Sequence, residues 1–257
     1  MYYVDIKHFK GMAGYEIDGI WYPRVTKIVE IKAKPALYKF YAELNNFEEG
    51  ESIKKNSASE GTLIHETVEK ILIGESPVID LSIKPSIDAF MKFIEEKNIQ
   101  VDAEWVEKQI VNMDERYAGT LDALALIDGK FGVLDIKTSQ AIYRDYNLQT
   151  SAYMAAVDRQ FPNLQTRWIL RIDQIKKCKK CRAIFRSKGG RDKIRPFRNG
   201  KIAMPMCEEG QHEWSELLGE IELQEFPYWQ EDFKAFLGAK KLWEWENEYW
   251  LKQVGYF

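Results

Sequence analysis

The sequence predicts a mixed α/β domain, with a central mixed β-sheet flanked by helices. Two observations support this prediction. Apolar patterns of helix and strand type alternate along the chain, in the order helix, strands, hairpin, helix, strand. Asp128-Gly129 separates two apolar runs, which is the strongest short-range signal for a two-residue β-hairpin. The 257 residues, 45% of them hydrophobic, can bury the core of one domain, so we expect 1–257 to fold as a unit.

Glycine, proline and capping residues divide the first part of the chain. Glycines interrupt the first thirty residues, which predicts short strands and turns there. The polar segment 45–56 predicts a loop. Ser57 and Glu60 form a capping box at the start of the best-marked helix, which Gly74 ends. Shorter helices are predicted for 25–31 and 36–44.

The remaining elements follow from apolar periodicity. Residues 85–97 have an amphipathic helical pattern, and residues 102–112 have an extended one. A helix over 146–157 directly follows the hairpin, and residues 166–172 alternate as a strand does. A long final helix, rich in Trp and Glu, is predicted for 228–253.

The predicted hairpin brings two carboxylates and a lysine together. If the turn is a simple two-residue loop, Ile127 faces Lys130, and the same count places Asp122 opposite Asp135. Directly opposed side chains have Cβ atoms roughly 4.5–5.5 Å apart, so the carboxylates repel each other unless a cation lies between them. Lys137 projects from the same face as Asp135 because it lies two residues further along the strand.

The same alternation points Ile136, between Asp135 and Lys137, into the core. Two other interpretations remain open at this stage. Strands often carry charges on a solvent-exposed face, and a β-bulge near Gly132 would break the register.

Charge is distributed unevenly along the chain. The formal net charge is −3 and the pI is near 5.8, which excludes a protein that coats nucleic acid by bulk charge. Residues 176–201, however, are strongly basic, and Asp192 is their only acidic residue. This asymmetry predicts a local nucleic-acid-binding segment. A solvated charged loop is the alternative.

The sequence also limits the cellular environment. No apolar run approaches the roughly 20 residues that a membrane span needs, and the N-terminus lacks an apolar core of signal-peptide length. Three cysteines do not make a secreted disulfide framework. We therefore expect a soluble cytoplasmic protein with no membrane partner.

The cysteines and one histidine form a second constellation. Cys178 and Cys181 have C-x₂-C spacing, and Cys207 and His212 follow after the basic stretch. A Cys₃His set is common in structural zinc sites. The sequence thus predicts that residues 176–212 form a basic insertion with Zn²⁺ at its base. Reduced thiols without a metal are the alternative.

Two further groups lie on helices. His65 sits beside the apolar stripe of the capped helix, where a histidine is often a packing residue and can also be a ligand. Gln149 and Tyr153 are four residues apart and share one helix face. By themselves they are ordinary residues at the surface or the edge of the core.

Four short motifs follow one another along the chain: Gly61-Thr62-Leu63-Ile64-His65, Gly119-Thr120-Leu121-Asp122, Leu134-Asp135-Ile136-Lys137-Thr138 and Gln149-Thr150-Ser151-Ala152-Tyr153. In this order they resemble the motifs of the PD-(D/E)XK nuclease superfamily, with the RecB-like exonucleases as the closest branch. The resemblance spans roughly residues 20–175 and includes Pro23 to Ile28, which is similar to the segment that often opens such domains.

The resemblance implies a restriction-endonuclease-like core and a divalent metal site. His65, Asp122, Asp135 and the backbone carbonyl of Ile136 would bind Mg²⁺ or Mn²⁺. Lys137 would be catalytic, by positioning or activating the attacking water. Gln149 and Tyr153 would border the site, support it and contact the substrate. Hard carboxylate oxygens suit both cations. Relatives with an iron–sulfur cluster use four cysteines, one of them upstream of the core, so no cluster is expected here.

The function predicted from the sequence is metal-dependent hydrolysis of DNA, starting from an end. The expected partner is DNA, bound at an end or as a single strand. Basic residues of the insertion, including Lys188 and Arg191, would contact backbone phosphates without reading sequence. One alternative is a structure-selective endonuclease or nickase. Another is a non-catalytic nucleic-acid-binding protein with a relic site. Recombination, repair and phage replication are compatible processes, with a recombination or replication protein as a partner.

Overall fold

A mixed β-sheet with helices on both faces forms the centre of the molecule, as predicted. The computed structural model describes residues 3–257. Met1 and Tyr2, the first residues of the segment predicted as strands and turns, lie outside the described part. The helices are α1 (Ile6–Ala13), α2 (Val25–Val29), α3 (Pro35–Ala42), α4 (Phe47–Leu72), α5 (Lys84–Glu96), α6 (Tyr146–Val157), α7 (Gln230–Glu246) and α8 (Glu248–Gln253), with a 3₁₀ turn at Ala103–Trp105.

The strands fall into one large sheet and three small two-stranded ones. The large sheet has the order β10-β9-β8-β7-β6-β3, and β13 pairs with β8; the small sheets are β1-β2, β4-β5 and β11-β12. The strands are β1 (Gly14–Ile17), β2 (Ile20–Pro23), β3 (Gln100–Val101), β4 (Lys108–Asn112), β5 (Tyr117–Leu121), β6 (Ala123–Ile127), β7 (Lys130–Lys137), β8 (Thr166–Lys177), β9 (Ile184–Lys188), β10 (Arg191–Arg195), β11 (Arg198–Asn199), β12 (Ile202–Ala203) and β13 (Leu218–Glu225).

The sheet is mixed because α6 connects two parallel strands. β7 and β8 run parallel, and the other pairs of the large sheet are antiparallel. A parallel pair needs a crossover connection, usually a helix. Helix α6 matches the predicted bounds of 146–157 and supplies this crossover directly after the strand that carries Asp135 and Lys137.

Two apolar clusters cover the two faces of the sheet. Leu124 and Val133 belong to the cluster that contains residues of α1, α2, α6, α7 and α8. Ala125 and Leu134 belong to the cluster that contains residues of α4 and α5. Ile136 is also in the second cluster, 2% exposed, which confirms its predicted position in the core. Burial on both faces explains why β6 and β7 are almost continuously apolar.

The central hairpin has the predicted turn and register. Ile127 pairs with Lys130, and the pairing continues in register to Ala123 and Leu134, so no bulge interrupts it at Gly132. Asp128 and Gly129 both have positive φ, 50° and 78°, as a type I′ turn requires.

The apolar run before the turn, from Tyr117 to Ile127, forms two strands and not one. Asp122 separates β5 from β6, and β5 pairs with β4 in a sheet of its own. Asp122 therefore lies one residue beyond the last ladder pair, at the point where the chain passes from the small sheet to the large one.

Several predicted boundaries were wrong. Residues 47–56, predicted as part of a loop, are the first turns of α4, which Asn46 caps by accepting a hydrogen bond from the Glu49 amide at 2.8 Å. The first thirty residues contain α1 in addition to strands. The predicted C-terminal helix is broken at Asn247 into α7 and α8.

The segment predicted as an insertion connects two neighbouring antiparallel strands. β8 continues to Lys177, well beyond the predicted end at residue 172, and β13 returns beside it from Leu218. Between them lie the β9–β10 hairpin and the short β11–β12 pair. Within residues 3–257, no helix is both long enough and apolar enough for a membrane span.

Candidate metal centre and active site

The end of β7 and the first turns of α6 form one side of the candidate site. The Lys137 ammonium donates a hydrogen bond to Asp135 Oδ1 at 2.8 Å. Gln149 donates from Nε2 to the same oxygen at 3.1 Å and contacts the Tyr153 hydroxyl at 2.9 Å. The structure thus brings the predicted residues Asp135, Lys137 and Gln149 into direct contact.

Asp122 connects the hairpin to α4. Its Oδ2 accepts a hydrogen bond from the Ile136 amide at 2.6 Å and lies 3.3 Å from His65 Nε2. The hydrogen bond crosses from the end of β5 to β7, so it fixes the carboxylate near the face that carries Asp135. The contact recorded at Ile136 involves its amide; the predicted role of its carbonyl stays a prediction.

Glu69 orients His65. The two residues are one helical turn apart on α4, and His65 Nδ1 contacts a Glu69 carboxylate oxygen. Because Nδ1 is engaged by this carboxylate, Nε2 faces Asp122. A carboxylate behind a histidine is the usual arrangement for a metal-binding imidazole. The i, i+4 spacing of His65 and Glu69 was visible in the sequence and could have indicated this contact.

Glu107 is the site residue that sequence reasoning missed. Single ligand atoms of His65, Glu107 and Asp122 all lie within 4.8 Å of one another. Glu107 has a positive φ of 51°, and its amide donates to the Asp122 carbonyl at 3.0 Å, which attaches it to the same bend. It lies between a 3₁₀ turn and a short strand, where no local pattern indicates a ligand.

Asp135 lies outside that three-residue group. Its side chain is fully buried, and its Oδ1 and Oδ2 lie 2.8 Å and 2.7 Å from the Lys137 ammonium. A carboxylate has about four lone-pair sites, so capacity to bind a cation remains beside this ion pair. The donor set of one imidazole and several carboxylates fits a hard divalent cation.

Close approach perturbs the proton affinities of these groups. Burial and the charges of Asp122 and Glu69 raise the pKa of Glu107 to about 7. Burial likewise raises the pKa of Asp135 to about 6, against the opposing effect of Lys137. Burial disfavours the charged imidazole, but the Asp122 and Glu69 carboxylates outweigh it and raise the pKa of His65 to about 10. A cluster of groups perturbed in this way is typical of functional sites.

Two motif glycines allow the site to close. A Cβ atom at Gly119 would lie 2.6 Å from Cε1 of the Tyr153 ring, and one at Gly61 would lie 2.6 Å from Thr138 Oγ1. Neither distance is possible for a real side chain. Gly119 therefore gives β5 room against α6, and Gly61 gives α4 room against the end of β7.

The predicted substrate residues differ in exposure. Tyr153 is 2% exposed, behind Gln149, so it supports Gln149 from within the core and offers no surface to a substrate. Lys188 on β9 donates to the Thr138 carbonyl, which places it directly beside Lys137. Arg191 pairs with Glu43 at 3.0 Å and lies over the Phe40 ring, further from the metal cluster.

The cysteines and His212 converge as predicted. Cys178 Sγ and Cys207 Sγ are 4.0 Å apart, and Cys181 Sγ lies 3.5 Å from His212 Nδ1. Tetrahedral zinc, with Zn–S near 2.3 Å and Zn–N near 2.05 Å, requires about 3.8 Å between sulfurs and about 3.6 Å between sulfur and nitrogen. The four residues thus form a Cys₃His cluster that could bind a metal such as zinc.

The backbone around the cluster favours a thiolate. Cys178 is buried, which opposes ionisation, but the Cys181 amide and His212 lower the pKa of its thiol to about 5. His212 stacks on Trp214 with ring centroids 4.6 Å apart. The three cysteines form no disulfide. Since β9 begins soon after Cys181, a metal here would hold the base of the β9–β10 hairpin.

No model of a known protein family matches this chain, and no curated protein matches it either.

Proposed function

We propose that this chain is a divalent-metal-dependent nuclease of the PD-(D/E)XK superfamily, closest to the RecB-like exonucleases, with a restriction-endonuclease-like core. One observation carries the proposal. Four motif residues from four separate segments, His65, Asp122, Lys137 and Gln149, converge around the open end of one hairpin. Two of the carboxylates there are buried and paired with His65 and Lys137, and such buried clusters of titratable groups are typical of functional sites.

The residues that would hold Mg²⁺ or Mn²⁺ are His65, Glu107 and Asp122, joined by Asp135 and the Ile136 carbonyl that the resemblance implies. When bound, the cation would lower the pKa of a water molecule and neutralise charge on a phosphate. Glu107 extends the predicted ligand set, because its carboxylate lies within 4.8 Å of the other two donors.

The protein's own groups divide the remaining work. The Lys137 ammonium, held by Asp135, orients the attacking water and offsets negative charge on the phosphate oxygens. Gln149 fixes Asp135 by donating to its Oδ1 at 3.1 Å. Glu69 holds His65 in the orientation that presents Nε2. These fixed contacts pre-organise the site, which reduces the reorganisation that the reaction requires.

We assign structural zinc to the second cluster, Cys178, Cys181, Cys207 and His212. The donor set is typical of closed structural sites, and the sulfur and nitrogen atoms are already at the spacing that tetrahedral zinc requires. The ion would hold the base of the β9–β10 hairpin, whose Lys188 reaches the end of β7.

DNA is the proposed substrate, and the experiment uses its topology. End-labelled linear DNA and a covalently closed circle of the same sequence are incubated with Mg²⁺ or Mn²⁺. We expect the linear molecule to be degraded from its ends while the circle survives. Cleavage of both would favour a structure-selective endonuclease or nickase. Binding without cleavage in either metal would contradict the proposal and favour a relic site.

A further inference from the structure

A cavity of about 360 Å³ opens beside the proposed metal site. Its walls include the end of β7, the loop that follows it, the start of α6 and the β9–β10 hairpin. Its size is that of a small-ligand pocket. The residues that line the cavity include Lys137, Thr138, Tyr143, Tyr146, Arg186 and Lys188.

Lys188 brings an uncompensated charge to this cavity. It is 8% exposed, and its ammonium donates to the Thr138 carbonyl. Among residues 3–257, no carboxylate forms an ion pair with it. A buried ammonium is costly without a paired anion, and one carbonyl compensates only part of that cost.

The neighbouring cation is already neutralised. Arg186 donates from Nε to Asp173 at 2.6 Å, and Asp173 is buried with it. Burial and the charge of Arg186 lower the pKa of Lys188, and the charges of Glu60 and Asp173, which form no ion pair with it, oppose this shift only in part. An anion entering the cavity would supply a paired anion.

The position of Lys188 relates the cavity to the metal site. A Cβ atom at Gly61 would lie 4.0 Å from the Lys188 ammonium. Gly61 is four residues before His65 on α4, so the ammonium lies beside the helix about one turn, roughly 5.4 Å of rise, from the proposed ligand. Lys137 lines the cavity and is also part of the proposed active site.

An aromatic surface completes the cavity. Tyr143 and Tyr146 meet edge to face with ring centroids 5.7 Å apart, and the Lys137 ammonium lies 5.3 Å from the centroid of the Tyr146 ring. Tyr143 is 39% exposed, so its ring is accessible. Stacking of bases on exposed aromatic rings is how single strands are held without sequence readout.

The β9–β10 hairpin closes one side of the cavity. Its turn packs on α4 so tightly that a Cβ at Gly189 would lie 2.1 Å from Ser57 Oγ and 2.4 Å from the Ile53 carbonyl oxygen. The cavity is open to solvent on its other side, so a strand can reach the Tyr143 ring. A base stacked on that ring has left the base stack of a duplex, so the aromatic surface fits an unpaired strand.

We propose that this cavity binds the nucleotide next to the scissile phosphate in single-stranded form, with Lys188 on its phosphate and Tyr143 stacked on its base. The inference rests on the proposed nuclease function and specifies its substrate: the strand is unpaired where it passes between the metal site and the hairpin.

The test measures binding without chemistry. Fluorescence anisotropy gives the Kd of a dye-labelled single-stranded oligodeoxynucleotide and of its blunt duplex, in buffer without Mg²⁺, Mn²⁺ or chelator. Lys188→Gln keeps a donor for the Thr138 carbonyl and removes the charge. Tyr143→Leu removes the ring at a partly exposed position. Lys92→Gln is the matched control, because Lys92 is an exposed lysine on α5, outside the cavity.

We expect Lys188→Gln to weaken single-strand binding by about tenfold, a typical effect of losing a hydrogen bond from a charged group. The slope of log K against log salt should become shallower by about 0.7 for the lost contact. Tyr143→Leu should weaken binding at least about fivefold, since one stacked base contributes roughly 1–3 kcal/mol. Duplex binding and the Lys92→Gln variant should stay within about twofold of wild type.

Unchanged single-strand affinity in both cavity variants would overturn the inference, and so would equal losses for single strand and duplex. If Lys188→Gln lowers the melting temperature, the Tyr143→Leu result decides alone. The two proposals can be contradicted separately. If the wild-type protein cleaves DNA but the variants bind single strands unchanged, only the proposed role of the cavity is contradicted. If the wild-type protein binds neither DNA, both the nuclease function and the role of the cavity are contradicted.

Discussion

At the scale of single residues, two contacts hold each buried aspartate of the site in place. The Asp122 carboxylate accepts a hydrogen bond from the Ile136 amide and faces His65. The Asp135 carboxylate accepts hydrogen bonds from Lys137 and Gln149. The alternation of side chains along a strand was enough to predict Asp135 and Lys137 together. Glu107 could not be predicted, since its place depends on a non-local bend that brings two strands together.

Glu107→Gln should lower the affinity for Mn²⁺ by at least about tenfold, because it removes a carboxylate charge from the cluster while keeping the side chain's shape. Isothermal titration calorimetry measures the change. Glu104→Gln is the control, since Glu104 is an exposed acid in the 3₁₀ turn just before Glu107. Equal affinities of the two variants would show that Glu107 is not a ligand.

Metal binding should release protons. In the metal-free protein His65 has a pKa of about 10 and Glu107 a pKa of about 7, so near pH 7 the first is protonated and the second about half protonated. Both must lose their protons to bind a cation, which predicts release of roughly one to two protons per ion at pH 7 and about one at pH 9. Titrations in buffers with different ionisation enthalpies measure this number. Heats that do not depend on the buffer would contradict the assigned ligands.

At the scale of secondary-structure elements, the motif glycines set the distances between strands and helices. The turn Asp128-Gly129 was predictable because few sequences satisfy two consecutive positive φ angles. Gly119 was recognisable only as part of a motif. Its physical role, to make room for the Tyr153 ring, requires the packing of α6 on β5.

Gly119→Ala should reduce the free energy of unfolding by about 1–3 kcal/mol through overpacking against Tyr153. Chemical denaturation measures the loss. Adding Tyr153→Leu should cost less in the Gly119→Ala background than in wild type, because the clash is then relieved. Gly11→Ala in α1 is the control: nothing lies within 4 Å of its Cβ position, and alanine favours a helix by about 1 kcal/mol. Strictly additive losses would rule out this role for Gly119.

The second cluster predicts a metal-dependent element. Purified protein should contain about one equivalent of zinc, and Cys207→Ser should abolish tight binding because a closed site needs its full donor set. Loss of the ion should expose residues 182–206 to proteolysis while the central sheet stays folded. Metal analysis and limited proteolysis with mass spectrometry measure both effects. Zinc-free wild-type protein, prepared without chelator, would contradict the assignment.

At the scale of the whole molecule, the order of elements was predictable and several boundaries were not. Apolar periodicity predicted α5, which buries one face, and apolar patterns predicted α6 and the central strands, which are buried on more than one side. Residues 47–56 are polar and helical because α4 extends beyond its apolar stripe, where the cap at Asn46 and contacts such as Tyr41 with Glu51 support it. The break at Asn247 similarly has no counterpart in the apolar pattern.

The arrangement of distant segments was the least predictable part. β8 carries β7 on one side and β13 on the other, and the β9–β10 hairpin folds back to contact both α4 and the end of β7. The contacts of this hairpin join residues 50 positions apart in the Lys188–Thr138 pair and 148 apart in the Arg191–Glu43 pair. No local sequence pattern specifies these contacts, although they form the second wall of the candidate site.

DNA hydrolysis by two aspartate variants tests the proposed metal site most directly. Asp122→Asn keeps the size of the side chain and the acceptor for the Ile136 amide, but removes the charge beside His65. Asp128→Asn makes the same change in the turn, where asparagine also tolerates positive φ. With saturating Mn²⁺ and end-labelled linear DNA, we expect Asp122→Asn to hydrolyse DNA at least about a hundredfold more slowly than the wild-type protein. We expect Asp128→Asn to hydrolyse it at the wild-type rate. Equal rates for the two variants, or no hydrolysis by the wild-type protein, would contradict the proposed metal site.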